Sequence, residues 1–160
     1  MKLLKCSVVL VILFMALNAV ALSEKVDGIT WTYRIVGDGA EIYAGNYFAA
    51  VSPDPMGAIT IPSTLGGKSV TSIGDYSFYC CSSLVSVTIP NSVTNVGFMA
   101  FGSSGLESIT IPDSVTNIGD GAFAGCSSLM AISVGANNQS YLFVSIAEVS
   151  GQGRRKNLPV

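Results

Sequence analysis

Apolar and polar positions recur along the middle of the chain. Aligned on Leu84, Leu106 and Leu129, the segments LVSVTIPNSVTNVGFMAFGSSG, LESITIPDSVTNIGDGAFAGCSS and LMAISVGANN share their apolar positions. The stretch from Met56, MGAITIPSTLGGKSVTSIGDYSFYCCSS, follows the same pattern with an insertion. Ile-Pro pairs at 61–62, 89–90 and 111–112 mark the register, with spacings of 28 and then 22 residues. The extra length falls in residues 63–69, where Gly66-Gly67 predicts a lengthened turn.

Each unit can be built from its residue types. Leu84, Val87 and Ile89 match Leu106, Ile109 and Ile111, then Leu129, Ile132 and Val134. This L-x-x-L-x-L spacing predicts a leucine-rich repeat strand. The alternation turns Val87 and Ile89 to one side and Thr88 to the other. Pro90 and Pro112 lack an N–H and stop the ladder, and Asn91-Ser92 and Asp113-Ser114 form turns. A second extended piece is expected at 70–73, 93–96 and 115–118. Gly74, Gly97 and Gly119 follow it, and their expected role is to supply a positive φ. Phe78, Phe101 and Phe123 then bring the chain back under the core. One such coil cannot bury its apolar face alone, so neighbours must stack. The expected fold is mainly β: a leucine-rich repeat solenoid of about three and a half short coils, with an N-terminal β-hairpin cap.

The chain divides into four parts. Residues 1–21 read as a signal peptide: Lys2 and Lys5, an apolar run over 8–17, then Ala19-Val20-Ala21 as the cleavage pattern. The run is too short for the ~20 residues of a membrane helix, so no stable span is expected after cleavage. Residues 22–55 form the cap. Within it, Thr30-Trp31-Thr32-Tyr33-Arg34-Ile35-Val36 and Ala40-Glu41-Ile42-Tyr43-Ala44 flank Gly37-Asp38-Gly39 as a hairpin. Its expected role is to cover the open edge of the first coil. A second reading places a carbohydrate site on Trp31, Tyr33 and Tyr43. Residues 56–135 hold the repeats. Residues 136–160 are an irregular tail; LFVSIAEVSGQGRRKNLPV matches nothing in the repeats and reads as a truncated or frame-shifted end. Leu129, Ile132 and Val134 would then make a poorly covered last strand.

The motifs IPDSVTNIGDGAFAGCSSL (111–129), IPNSVTNVGFMAF (89–101) and SVTSIGDYSFYCCSSL (69–84) resemble one family, the BspA-like or Treponema-type leucine-rich repeat surface antigens. The resemblance covers about residues 56–141. It implies a secreted or surface-displayed protein of host-associated microbes, engaged in adhesion to host matrix proteins or other microbes. The middle repeat departs from the pattern, with Gly102-Ser103-Ser104 where Gly-Cys-Ser-Ser is usual. Phe98-Met99 also replaces the usual small or polar pair. The sequence ANNQSY (136–141) is similar to the family's exit from its repeats.

Composition narrows the chemistry. The chain is 49% hydrophobic and 11% charged, with no His and a formal net charge of −2. Without His, Ser-His-Asp and Cys-His catalysis and His-dependent metal sites are excluded. Without a clustered basic footprint, nucleic acid is not an expected partner. No catalytic constellation, cofactor site or metal site is expected, and the reading is not an enzyme. Cys81 and Cys126 fall two coils apart at equivalent positions, too far for a bridge, and are expected to be small buried hydrophobes. Asn138-Gln139-Ser140 is a glycosylation sequon if the source is eukaryotic.

The candidate binding surface has two parts. Thr60, Thr88, Thr110 and Ser133 should form an outward hydroxyl row, serving either as a contact row or as cross-strand pairs that stabilise the sheet. Val85, Ser86, Glu107, Ser108, Met130 and Ala131 are their companions on this face. Tyr76, Phe98 and Met99, with Tyr79, lie on the return segments, either as an exposed contact patch or as packing between coils. The expected partner is a protein on a host or microbial surface. The other expected contact is self-association through the uncapped C-terminal coil. Expected localisation is secreted or cell surface.

Overall fold

The computed structural model describes residues 21–45 and 49–141. The signal-peptide reading and the foreign tail from residue 142 lie outside these residues. Among the described residues every regular element is a strand: β1 (Leu22–Val26), β2 (Ile29–Val36), β3 (Gly39–Ile42), β4 (Val51–Ser52), β5 (Gly57–Thr60), β6 (Thr64–Leu65), β7 (Lys68–Ile73), β8 (Leu84–Thr88), β9 (Asn95–Val96), β10 (Ser108–Ile111), β11 (Asn117–Ile118) and β12 (Ala131–Val134).

The repeat builds two parallel ladders. The strands that open the units form one sheet in the order β12-β10-β8-β5, with Ser86 beside Ser108 and Ser108 beside Ala131. The second extended pieces form the other ladder, β7-β9-β11. Between them lie Leu84, Leu106, Val93 and Val115, all without solvent exposure. Phe78, Phe101 and Phe123 stack through the stem of the coils at centroid separations of 5.0 and 5.4 Å, nearly parallel. Trp31 of β2 meets the end of this column edge-on, 6.1 Å from Phe78. The aromatic column thus runs from the cap through three coils, and each ring is fully buried only because its neighbours are in place.

The glycines correct the sequence expectation. Gly74, Gly97 and Gly119 do not have positive φ. They are required because adjacent coils touch there: a Cβ on Gly119 would lie 2.6 Å from both Gly97 C and Phe98 N. The left-handed positions come later in each coil, at Tyr76, Met99 and Gly121, and again at Cys80, Ser103 and Gly125. Only the last of the three coils places glycine at both. A non-glycine residue there costs about 1–2 kcal/mol. Exposed Ser103, at φ 56°, should therefore gain from glycine. Ser103→Gly is expected to raise the unfolding free energy by about 0.5–1 kcal/mol, part of the relieved strain being offset by unfolded-state entropy. Urea unfolding midpoints check this; a lowered midpoint would refute the strain.

The same geometry redraws the middle repeat. Ser104 N donates to Phe101 O as Cys126 N donates to Phe123 O, so Ser104 occupies the Cys position. The missing residue falls after it, at Gly105, where a Cβ would collide with Ser82 O.

The cap is larger than the predicted hairpin. β2 and β3 pair antiparallel as expected, around Gly37-Asp38. β1 adds a strand through Asp27-Gly28, both at positive φ, the Asp-Gly pair that favours a two-residue hairpin turn. β3 then pairs parallel with β7 and extends the second ladder. The cap therefore covers one of the first coil's two edges; β5 still ends its own sheet. The insertion at 63–69 is also more than a turn. It folds back as the β6–β7 hairpin over Gly66-Gly67, buries Leu65, and ties to the cap by Gly66 N donating to Glu24 Oε2 at 2.8 Å.

At the other end, residues 135–141 close the last coil. Asn138 is 1% exposed. Its Nδ2 donates to Pro112 O and Val115 O, and its Oδ1 accepts from Ser140 N and Tyr141 N. Tyr141 Oη accepts from Ile118 N at 2.8 Å. Leu129 is 8% exposed, while Ile132 and Val134 are half-buried where their equivalents Ile109 and Ile111 are buried, so the last strand is less covered than the one before it, as expected. In the folded chain the Asn138 amide is thus an interior group with both of its donors engaged. Asn138→Ala should cost about 2–4 kcal/mol, as it leaves two carbonyls and two amides without partners. Thermal unfolding would show it, and a loss below about 1 kcal/mol would contradict the plug role.

Candidate functional site

The four-stranded sheet turns one side chain in two away from the core. Thr60, Thr88, Thr110 and Ser133 are all exposed and lie in one row. Thr60 pairs with Thr88, and Thr110 with Ser133. A parallel row of small residues, Ala58, Ser86, Ser108 and Ala131, runs beside it. The hydroxyl row expected from the sequence therefore exists as one continuous line. At the entry of the strands stand Val85, Glu107 and Met130. Glu107 N donates to Val85 O at 3.0 Å, and Met130 N to Glu107 O at 2.9 Å, which holds the three in step. Near the other end of β8 and β10, Thr88, Thr110, Asn91 and Asp113 line an open hollow of about 390 Å³.

The aromatic group lies apart from this face. Tyr76 meets Tyr79 and Phe98 edge-on, with centroids 5.5 and 5.4 Å away. Phe98 is 40% exposed, while Tyr76 and Met99 are half-buried. The rings pack between adjacent coils, and Phe98 keeps an open edge. Trp31 and Tyr33 are interior, at 1% and 2% exposure, so they cannot present a carbohydrate platform. Tyr43 carries the Arg34 guanidinium 4.4 Å over its ring, and Arg34 Nε donates to Glu41 Oε2 at 2.7 Å. The carbohydrate reading is thereby lost to core packing and an ion pair.

Cys81 is buried as expected, but Cys126 is half-buried and polar in its contacts, donating from Sγ to Phe101 O. Burial, then Asp54 and Cys80, push the Cys81 thiol up to about 12, so it stays protonated and is a poor nucleophile. Cys80 is exposed. Iodoacetamide at about pH 8 should therefore modify Cys80 in the native chain and spare Cys81. Peptide mass mapping reads this directly, and equal labelling would overturn the burial argument.

A family description, the BspA type leucine rich repeat region, matches residues 53–147 in six copies. No curated protein matches. Among solved structures, the chain is similar to a leucine rich cell surface protein from Faecalibacterium prausnitzii, at 41% identity over 54% of this chain and 21% of that one, with a TM-score of 0.46. It is also similar to a leucine-rich repeat protein from Bacteroides ovatus, at 23% identity over 75% of this chain and 40% of that one, TM-score 0.39. A leucine rich repeat protein of T. pallidum shares 21% identity over 64% of this chain and 78% of its own length, TM-score 0.36. The chain spans about a fifth of the length of the Faecalibacterium protein.

Proposed function

Because the chain belongs to the BspA-type leucine-rich repeat family, we propose that it is a secreted or cell-surface protein that adheres to a protein partner on a host or microbial surface. The observation that carries this reading is the exposed sheet face, where Thr60, Thr88, Thr110 and Ser133 stand in one uncovered row. A flat face of small and hydroxyl side chains lacks the large Tyr, Trp and Arg anchors of strong hot spots. Each contact is therefore weak, and useful adhesion comes from many copies acting together. Export rests on the leader-like residues 1–21. Among the described residues, no helix is long and apolar enough to cross a membrane. In this reading the chain acts by contact alone, without catalysis, cofactor or metal.

The test is binding of the chain, free and coated on beads, to matrix proteins and bacterial surfaces. Saturable binding on beads is expected, and its loss in a Thr88→Arg, Thr110→Arg variant that keeps its circular dichroism spectrum. Absence of saturable binding in both formats would end the reading.

A second reading, self-association in an envelope layer, is supported by β12, which ends its sheet among the described residues with Ile132 and Val134 only half-buried. Light scattering that rises with concentration would favour it; a monomer at all concentrations would remove it.

A further inference from the structure

Three of the six large apolar side chains that the described residues expose, Met56, Val85 and Met130, lie along the rim where the strands of the four-stranded sheet begin. Met56 and Met130 are the most exposed of all, at 77% and 75%. Between Val85 and Met130 stands Glu107, immediately before β10, joined to both by backbone hydrogen bonds. The rim thus reads apolar, acidic, apolar across three adjacent strands.

Charge singles out Glu107. From residue 69 to residue 141 the chain has no Lys or Arg, and its acidic residues are Asp75, Glu107, Asp113 and Asp120. Asp75 accepts from Phe98 N, and Asp113 is held by Asn137. Glu107 is exposed, and no described side chain pairs with its carboxylate. A negative group between two exposed apolar side chains is complemented by a positive group between two apolar ones.

Spacing decides what presents them. Val85 and Met130 are two strand spacings apart, about 10 Å. An α-helix places residues i and i+7 about 10.5 Å apart on one face, with i+3 or i+4 between them. An extended chain places its i and i+4 side chains about 13 Å apart, too far for the same three positions.

We propose that the Val85–Glu107–Met130 rim docks a cationic amphipathic helix of the partner, with Lys or Arg at the centre and apolar side chains one helical step to either side. This rests on the protein-binding role proposed above and names the chemistry of its partner. Glu107 fixes polarity and register, and the apolar pair supplies the buried area.

The test uses the full chain and three synthetic peptides: an Ala-rich helix with Leu, Arg and Leu at i, i+4 and i+7; the same helix with Glu for Arg; and an extended Val/Thr-rich peptide carrying Leu, Arg and Leu on one face. Fluorescence anisotropy is expected to show the Arg helix binding at least about tenfold more tightly than either control. Glu107→Lys should reverse the preference between the two helices, and Met130→Ser should weaken the Arg helix several-fold. Equal binding of the three peptides, or indifference to both substitutions, overturns the proposal. If the chain still binds surfaces through the Thr row while the rim variants are indifferent, the rim assignment fails and the adhesion reading stands. If neither row nor rim variants change binding to any surface, both fail.

Discussion

Phe101→Ala is expected to lower the unfolding free energy by about 3–5 kcal/mol, the range for truncating a fully buried aromatic ring. Phe101 has no exposed surface and lies between Phe78 and Phe123, stacked on both. Removing it opens a cavity in the middle of the column, and the coils cannot close around it because their backbone ladders fix their separation. In a repeat stack, stability is close to a sum of coil and interface terms, so a loss at the middle coil strikes two interfaces at once. Single domains are stable by only about 5–15 kcal/mol, and the variant should be marginal or lose its C-terminal coil. Phe98→Ala is the control. Phe98 lies nearby but is 40% exposed, and its truncation should cost less than about 1 kcal/mol. Urea unfolding of both variants checks the pair. A Phe101→Ala midpoint close to that of Phe98→Ala would show that the column does not hold the stack together.

Gly119→Ala is expected to cost about 3 kcal/mol or more, at the upper end of overpacking effects. The added Cβ meets backbone atoms of the preceding coil, which cannot rotate out of the way. The coils would have to move apart, straining the Gly119 N to Val96 O bond of 2.7 Å. Gly119→Asn is the informative companion. Had Gly119 been needed for a left-handed backbone, Asn would be the best-tolerated replacement. For a close approach, Asn should be at least as damaging as Ala. Gly121→Ala gives the contrasting case: φ is +62° and the nearest atom is at 3.4 Å, so only the conformational cost of about 1–2 kcal/mol applies. Melting temperatures of the three variants separate the readings, and a milder effect of Gly119→Asn than of Gly119→Ala would restore the left-handed one.

The parts of this molecule legible in its sequence are those set by local pattern. Leu84, Val87 and Ile89 could be read as inward and Thr88 as outward because alternation along a strand is a property of the strand itself. The stacking followed from repetition, since equivalent residues in successive units must meet one another. The hydroxyl row at Thr60, Thr88, Thr110 and Ser133 was visible for the same reason. So were its companions Val85, Glu107 and Met130, but the exposure of Met56 was not. The repeat pattern aligns Met56 with Leu84, yet Met56 is 77% exposed while Leu84 is buried, because Gly57 at φ 68° shifts the register at the entry to β5.

What the sequence determined by itself is therefore the coil: its period, its inward and outward positions, its turns, and the family it resembles. Tertiary structure alone decided how coils and ends meet. It placed Trp31 and Tyr33 inside rather than on a carbohydrate face, and set the cap against β7 while leaving β5 at an edge. It also assigned Gly74, Gly97 and Gly119 to close approach and drew Asn138 into the interior as a plug. The physical reason is one of range. A strand's alternation is written in neighbouring residues, whereas the clearance for a Cβ, or the two carbonyls that hold one amide, depends on backbone more than twenty residues away in sequence.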